Sequence, residues 1–331
     1  MSTHEVPEPI VDNGVVPDPE LTIAEEVLSE SQVVEVAEGA KEAVPEVSEE
    51  KAGPSRAADV GDDEENPAKR ACKEDLESLG YYFDKEGVLR TTENKEKVGR
   101  LPSQAAYEQL GDTVTEAVFE IMKSPPYNLQ CVTLEPSGVN FYASQNYKEA
   151  ATLVVLVHGT GVVRAGQWAR RLIINNSLNE GTMLPMIKEF QNNKNYAVVL
   201  LNYNETTKVK NPVANGCLVW DELTEDKIKA DKIVVIAHSF GGYVTLKMLQ
   251  STDEDERVKA VILTDSSHEA ISYALMWDEP PACRHWVTSE KALDAPLKAN
   301  VVSAGTTVHE ETTLKATESI YEFIQEALES S

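Results

Sequence analysis

The sequence contains few cysteines, and their spacing does not fit a metal site. Cys72, Cys131, Cys217 and Cys283 are far apart, and no Cys-x-x-Cys or Cys/His ligand pattern occurs. Structural zinc sites need closely spaced thiolate and imidazole ligands. The sequence therefore predicts reduced thiols in an intracellular protein, with no bound metal and no other cofactor.

Long hydrophobic runs are also missing. No apolar stretch approaches the roughly 20 residues that a membrane-spanning helix needs. The N-terminal residues M-S-T-H-E lack the basic and apolar regions of a secretion signal, and the C-terminal E-S-S differs from an ER-retention signal. We therefore expect no membrane association.

Aromatic and basic residues are scarce in the first fifth of the chain. Residues 1–66 contain 19 Asp or Glu, three Lys or Arg and no aromatic residue, and they carry −16 of the net charge of −26. Such a segment buries too little apolar surface to offset its ordering entropy. We predict a disordered acidic tail over residues 1–74 and a folded domain over residues 75–331. The acidic balance also argues against a long nucleic-acid groove.

A short basic run, P-A-K-R-A-C-K, interrupts the acidic composition at residues 67–73. Lys69, Arg70 and Lys73 would be accessible at the end of a disordered segment, and they fit a nuclear import signal. A plain linker is the alternative interpretation, because such runs are common by chance.

The hydrophobic pattern of the remaining chain predicts alternating strands and helices. Apolar residues three or four apart predict a helix over 104–123, and runs at 129–134 and 139–143 predict an antiparallel strand pair. Five apolar runs rich in β-branched residues predict strands buried on both faces. These runs are 153–157, 197–201, 233–237, 258–263 and 299–303. With helical segments between the first four runs and a helix at 314–328, the fold class is α/β, a mainly parallel sheet with helices on both faces.

The sharpest local signal is A-H-S-F-G-G at residues 237–242, between a predicted strand and a helical segment. In the G-x-S-x-G nucleophile elbow of α/β-hydrolases, a serine lies on a tight turn that requires small flanking residues. Ala237 and Gly241 meet that requirement around Ser239. The pattern predicts that Ser239 is the nucleophile and that the Phe240 N–H donates to an oxyanion.

A second signal, H-G-T-G at residues 158–161, lies at the end of an early predicted strand. In α/β-hydrolases the loop at this place donates a backbone N–H to the oxyanion. Gly159 or Thr160 fits that role. The alternative is that the two glycines only shape a turn.

A serine nucleophile needs a base and an acid, and the chain order in this fold is Ser, acid, His. His309 follows the last predicted strand and is the expected base, whereas His268 and His285 precede that strand. Asp265 directly follows a predicted strand and is the expected acid. Asp294 is the alternative acid, and a plain turn is the alternative role for Asp265.

Three arginines, Arg164, Arg170 and Arg171, lie close to the H-G-T-G loop. Guanidinium groups beside an oxyanion loop can bind a carboxylate or a phosphate. A structural ion-pair cluster is the alternative, and for any single arginine it is the favoured one.

Several of these segments together resemble a known family. They are H-G-T-G-V-V-R-A-G-Q-W-A-R-R-L-I-I-N at 158–175, A-H-S-F-G-G, T-D-S-S-H at 264–268, V-S-A-G-T-T-V-H-E at 302–310 and L-G-Y-Y-F-D-K-E-G-V-L-R at 79–90. This combination resembles the animal cotranscriptional-regulator family built on the argonaute-binding (Arb-two) domain, over roughly residues 75–328.

The resemblance implies an α/β-hydrolase-like fold and a nuclear role, with the cytoplasm as a second location. It implies argonaute, chromatin and splicing proteins as partners, small RNA acting indirectly, and a role in heterochromatin formation or alternative splicing. It further implies a hydrolase activity, since Ser239, Asp265 and His309 fall where the family has its Ser, Asp and His. An active esterase or thioesterase that uses these three residues is the alternative function.

Overall fold

The computed structural model describes residues 75–205, 208–252, 254–267 and 277–330. The predicted acidic tail, the basic run with Lys69, Arg70 and Lys73, and the weaker base candidate His268 lie outside these residues.

A short antiparallel hairpin precedes the main sheet. It pairs β1 (Tyr81–Phe83) with β2 (Leu89–Thr91). The main sheet follows along the chain and consists of β3 (Gln130–Leu134), β4 (Val139–Ala143), β5 (Thr152–Val157), β6 (Tyr196–Leu201), β7 (Lys232–His238), β8 (Val258–Thr264), β9 (Ala282–Val287), β10 (Pro296–Lys298) and β11 (Val301–Ser303).

Among the described residues this sheet has nine strands, in the spatial order β10-β11-β9-β8-β7-β5-β6-β4-β3. Six neighbouring strands in that order are parallel to one another: β11, β9, β8, β7, β5 and β6. The edge pairs β3–β4 and β10–β11 and the β4–β6 pair are antiparallel. All carboxyl ends of the parallel strands therefore meet at one edge, where α/β sheets carry their ligand sites.

Helices cover both faces of the sheet. They are α1 (Gln104–Lys123), α2 (Arg170–Asn175), α3 (Leu178–Gly181), α4 (Leu184–Gln191), α5 (Pro212–Thr224), α6 (Gly241–Ser251) and α7 (Thr312–Glu329). Successive strand residues point to opposite faces, so Val154 and Leu156 pack in one core cluster with α1, α4 and α7. Leu153 and Val155 pack in the other cluster, against α5 and α6. No described helix is both long and apolar enough to cross a membrane.

The architecture confirms the predicted fold class, and the predicted helix over 104–123 is α1, with Ser103 as its N-cap. Two differences have local causes. The last predicted strand begins at Val301 rather than at 299, since Asn300 adopts a positive φ of 58°. Strand β9 was not predicted, because Arg284 and His285 interrupt its apolar pattern, although it pairs with both β8 and β11.

Candidate active site

Ser239 lies on a tight turn between β7 and α6, at the carboxyl edge of the sheet. Its φ is 55°, a strained left-handed conformation for a residue with a side chain. Gly241 permits this turn, because a Cβ atom there would lie 2.4 Å from the carbonyl oxygen of His158 and 2.7 Å from that of Val157. The local geometry is therefore that of a nucleophile elbow, with a partly exposed serine.

Asp265 and His309 meet beside this elbow. Asp265 follows β8, and its Oδ2 accepts a 2.6 Å hydrogen bond from Nδ1 of His309, at the start of a 3-10 turn before α7. Its Oδ1 accepts bonds from the Thr288 backbone N–H and hydroxyl, at 3.0 and 3.1 Å. Both carboxylate oxygens are thus held, and the Nδ1–H bond leaves Nε2 of the imidazole as the basic nitrogen.

Electrostatics keep this carboxyl ionised. Burial raises the pKa of Asp265, but the hydrogen bonds from His309 and Thr288 together lower it by more than burial raises it. The pKa therefore falls below its ordinary value. A carboxylate in this position fixes the imidazole tautomer and stabilises the imidazolium when it forms.

Backbone contacts connect the serine to this pair. The Ser239 N–H donates to the carbonyl oxygen of Thr264, the residue before Asp265, at 2.9 Å. The ring of His238, which precedes the serine, lies 4.7 Å from the ring of His309, measured between centroids. The structure therefore brings Ser239, Asp265 and His309 to one place at the sheet edge.

The alternative candidates have other contacts. The carboxylate of Asp294 accepts bonds from Nε1 of Trp286 at 2.8 Å and from Oγ of Ser319 at 2.6 Å, which connect β9 and α7. His285 is buried within β9, and its Nε2 accepts the Ser266 N–H at 2.9 Å. These contacts are structural, and they favour Asp265 and His309 as the acid and the base.

The H-G-T-G loop passes directly beside the serine. A Cβ atom built on Gly159 would lie 3.4 Å from the Ser239 Cβ and 3.7 Å from its Oγ. Within the described part of the chain, the N–H groups of Gly159, Thr160 and Phe240 make no hydrogen bond. Phe240 is also the N-cap residue of α6, where the helix dipole favours negative charge. These groups are well placed to bind an oxyanion.

Three supporting residues were missed from the sequence. Thr288 follows β9 and holds Asp265, while Tyr203 and Asn204 follow β6 and both donate to the carbonyl of Gly159. Each is a polar residue just beyond the carboxyl end of a parallel strand. That position is the signal that would have identified Tyr203 and Asn204, whereas Thr288 depends on the unpredicted strand β9.

Two of the three arginines are held at the rim of the site. Nη1 of Arg164 donates to the carbonyl oxygens of Gly161 and Val163, at 3.1 and 3.0 Å. Nε of Arg171, on α2, lies 2.8 Å from a carboxylate oxygen of Glu310, the residue after the proposed base. Burial raises the pKa of Glu310, but the bond from Arg171 keeps it below the ordinary value. The ion pair therefore connects α2, which follows the H-G-T-G loop along the chain, to the turn that begins at His309.

The third arginine, Arg170, is buried against α1. Its Nη2 donates to Asp112 and Thr115 at 3.2 Å each and to the Val162 carbonyl at 3.0 Å. The guanidinium packs closely over Gly111, where a Cβ would lie 2.6 Å from it. The three guanidinium groups thus have separate protein partners, which favours the structural alternative over a shared anion site.

The described residues contain no group of three or more His, Cys, Asp or Glu side chains that could hold a metal ion.

Two buried histidines should make stability pH-dependent. Burial lowers the pKa of His158 from 6.5 to about 4, and burial together with the charge of His309 lowers the pKa of His238 to about 3. The unfolded chain therefore binds more protons, and stability present above pH 6.5 is lost as the pH falls. Between pH 6 and 4.5 we expect a loss of about 1.4 kcal/mol per pH unit for each histidine. Denaturant titrations across this range measure the slope.

The matched control for this slope is His238→Gln, which removes one titrating group and retains a hydrogen-bond donor toward Thr264. The slope should fall to about half of the wild-type value. An unchanged slope in this variant would contradict the assignment.

The sheet order and the nucleophile elbow, beside which Asp265 and His309 are hydrogen-bonded, define an α/β-hydrolase-fold protein. In agreement, the alpha/beta hydrolase fold family matches residues 218–308, and the Arb2 domain family matches residues 72–225. The Cotranscriptional regulator ARB2A of Mus musculus is 30% identical, and the match covers 77% of this chain and 81% of that protein. The chain belongs to the ARB2A cotranscriptional-regulator family.

Two further proteins match this chain over different shares of its length. The FAM172 family protein homolog Y75B8A.31 of Caenorhabditis elegans is 40% identical, over 58% of this chain and 64% of that protein. The chain therefore spans less than two thirds of this nematode relative. A histone deacetylase from Saccharomyces cerevisiae has a solved structure that is 13% identical, with a TM-score of 0.44, over 65% of this chain and 98% of that one.

Proposed function

We propose that this chain acts in the nucleus as a cotranscriptional regulator, with argonaute, chromatin and splicing proteins as partners. The proposed processes are small-RNA-linked heterochromatin formation and alternative splicing. Support comes from the vertebrate relatives named Cotranscriptional regulator ARB2A. The match to this chain covers about four fifths of the length of each. The net charge of −26 favours an indirect role for RNA, since phosphate binding needs clustered cations.

A second candidate function is hydrolysis of an ester, a thioester or an acylated protein. The observation that carries it is the 2.6 Å hydrogen bond between His309 and Asp265 at the nucleophile elbow. A carboxylate-bound imidazole next to a strained, partly exposed serine is the arrangement that acyl-transfer enzymes use on several unrelated folds. The two functions are compatible, because a fold can carry both a binding surface and a reactive site.

In the proposed reaction His309 moves a proton at each step, and Ser239 carries the acyl group. Nε2 of His309 takes the Ser239 hydroxyl proton as Oγ bonds to the acyl carbon, and the carbonyl electrons move onto an oxyanion held by backbone N–H groups. The oxyanion then re-forms the carbonyl, and the leaving group departs with the proton from His309. Water, deprotonated by His309, releases the acyl group from Ser239 by the same steps.

A fluorophosphonate probe tests the reactive site. Oγ of an activated serine attacks its phosphorus and displaces fluoride, so wild-type protein should be labelled and Ser239→Ala should not be. Ser266→Ala, a second serine near the elbow, should retain labelling. The Ser239→Ala variant should capture argonaute from nuclear extract as well as the wild type does, because partner binding does not require the hydroxyl.

The outcomes separate the two functions. A folded wild-type protein that resists the probe would count against the hydrolase and leave the regulator proposal standing. A wild-type protein that is labelled but recovers no argonaute would count against the partner. Loss of argonaute capture in Ser239→Ala would show that the two activities are not independent.

A further inference from the structure

The carbonyl oxygen of Gly159 lies within hydrogen-bond distance of three side chains. Oη of Tyr203 and Nδ2 of Asn204 donate to it at 2.7 and 3.0 Å, and Nδ1 of His158 lies 2.7 Å away. A carbonyl oxygen has two lone pairs, so the bonds from Tyr203 and Asn204 fill its capacity. The direction of this C=O bond is therefore fixed from the side of β6.

Fixing this carbonyl also fixes the next N–H group. The C=O of Gly159 and the N–H of Thr160 belong to one planar trans peptide, in which they point in opposite directions. The Gly159 Cα lies beside Ser239, as the short approach to its Cβ and Oγ shows. The Thr160 N–H therefore points away from Tyr203 and Asn204, and within the described residues it has no bonding partner.

The two holding residues are themselves rigid. Tyr203 is 1% exposed, and its ring stacks on His158 with centroids 4.3 Å apart and planes 17° from parallel. The one proton of its hydroxyl is shared between the carbonyl oxygens of His158 and Gly159. Nδ2 of Asn215 donates to the backbone carbonyl of Tyr203 at 3.1 Å, and Asn204 also donates to Val163 at 3.2 Å. A polar cluster with these bonds resists reorientation of the loop.

We infer that Tyr203 and Asn204 are positioning residues that aim the Thr160 N–H at the oxyanion formed on Ser239. The inference rests on the proposed hydrolase function and narrows its substrate class. A prealigned N–H donor is useful for acyl compounds whose carbonyl carbon becomes tetrahedral, such as carboxylic esters and thioesters. The positioning role also explains why the Tyr203 hydroxyl and the Asn204 amide both donate to the carbonyl oxygen of Gly159.

The test measures kcat and KM separately with p-nitrophenyl acetate. Tyr203→Phe keeps the stacked ring and removes the donor, and Asn204→Ala removes the other donor. Each should lower kcat by about tenfold, and the double variant by about 100-fold or more, with KM changed little, because the donor acts in the transition state. Affinity for a trifluoromethyl ketone, which forms a tetrahedral adduct, should fall in parallel.

Tyr196→Phe is the matched control, since it removes a hydroxyl from the opposite end of the same strand. It should leave kcat and ketone affinity unchanged. The amide NMR signals of Gly159 and Thr160 should shift in Tyr203→Phe and Asn204→Ala but not in this control.

The outcomes distinguish this inference from the proposed function. An active wild type whose double variant keeps its kcat would overturn the positioning role alone. A folded wild type with neither probe labelling nor turnover would overturn the hydrolase and the catalytic role together. Unchanged amide signals of Gly159 and Thr160 in both variants would overturn the alignment itself.

Discussion

Asparagine in place of Asp265 should lower the rate of acyl transfer about 10⁴-fold while leaving the protein folded. The carboxylate accepts the Nδ1–H of His309 with one oxygen and two bonds from Thr288 with the other. An asparagine can turn its amide N–H toward the imidazole, which would place the proton on Nε2 and remove the base that faces the serine. The rate of p-nitrophenyl acetate turnover and the rate of fluorophosphonate labelling both measure this effect.

Asp294→Asn is the matched control, since it is the other acid that the sequence offers. Its carboxylate accepts bonds from Trp286 and Ser319, so we expect a stability loss of about 1–2 kcal/mol and an unchanged rate. In turnover assays Asp265→Asn should lose rate and Asp294→Asn should not. In thermal unfolding Asp294→Asn should lose stability, whereas Asp265→Asn should remain folded. A rate loss in Asp294→Asn with full activity in Asp265→Asn would assign the acid to Asp294 instead.

Alanine in place of Gly241 should reduce the free energy of unfolding by about 3 kcal/mol or more. Its methyl group would lie 2.4 Å from the carbonyl oxygen of His158 and 2.7 Å from that of Val157. Both obstacles are backbone atoms at the end of β5, so neither can rotate away as a side chain would. The elbow or the oxyanion loop must shift, and labelling of Ser239 should be lost together with stability.

Gly99→Ala provides the comparison for this substitution, because a Cβ at Gly99 would meet no atom within 4 Å. Surface changes of that kind alter stability by about 0.5 kcal/mol or less. Denaturant titration of the two alanine variants therefore compares the same added methyl group in two environments. Equal stability of the two would mean that the elbow tolerates a wider turn than its geometry indicates.

The parallel core of the sheet was predictable because each central strand is a continuous run of β-branched and aliphatic residues. The residues of β5, T-L-V-V-L-V, are all buried, and a strand with helices on both faces requires that composition. Ser239 was predictable for a similar local reason, since the elbow needs small residues at fixed positions around it. The order of acid and histidine followed from the fold.

The contacts that complete the site could not be predicted in the same way. Thr288 lies 23 residues from Asp265, and Tyr203 lies 44 residues from Gly159. Such bonds depend on which strand ends are neighbours in the sheet, and one of those strands, β9, carries polar residues that obscured its pattern. The buried position of Arg170 depends on a glycine of α1 that no local pattern connects to it.

The central position of β5 has a consequence for shortened forms of the protein. This strand pairs with β6 on one side and with β7 on the other. A polypeptide that ended near residue 225, where the two matched family regions meet, would keep β6 and lose β7. It would expose an apolar strand with unpaired N–H and C=O groups, which is a template for intermolecular β-pairing. Premature termination at that border would therefore yield an aggregation-prone polypeptide rather than a separate binding module.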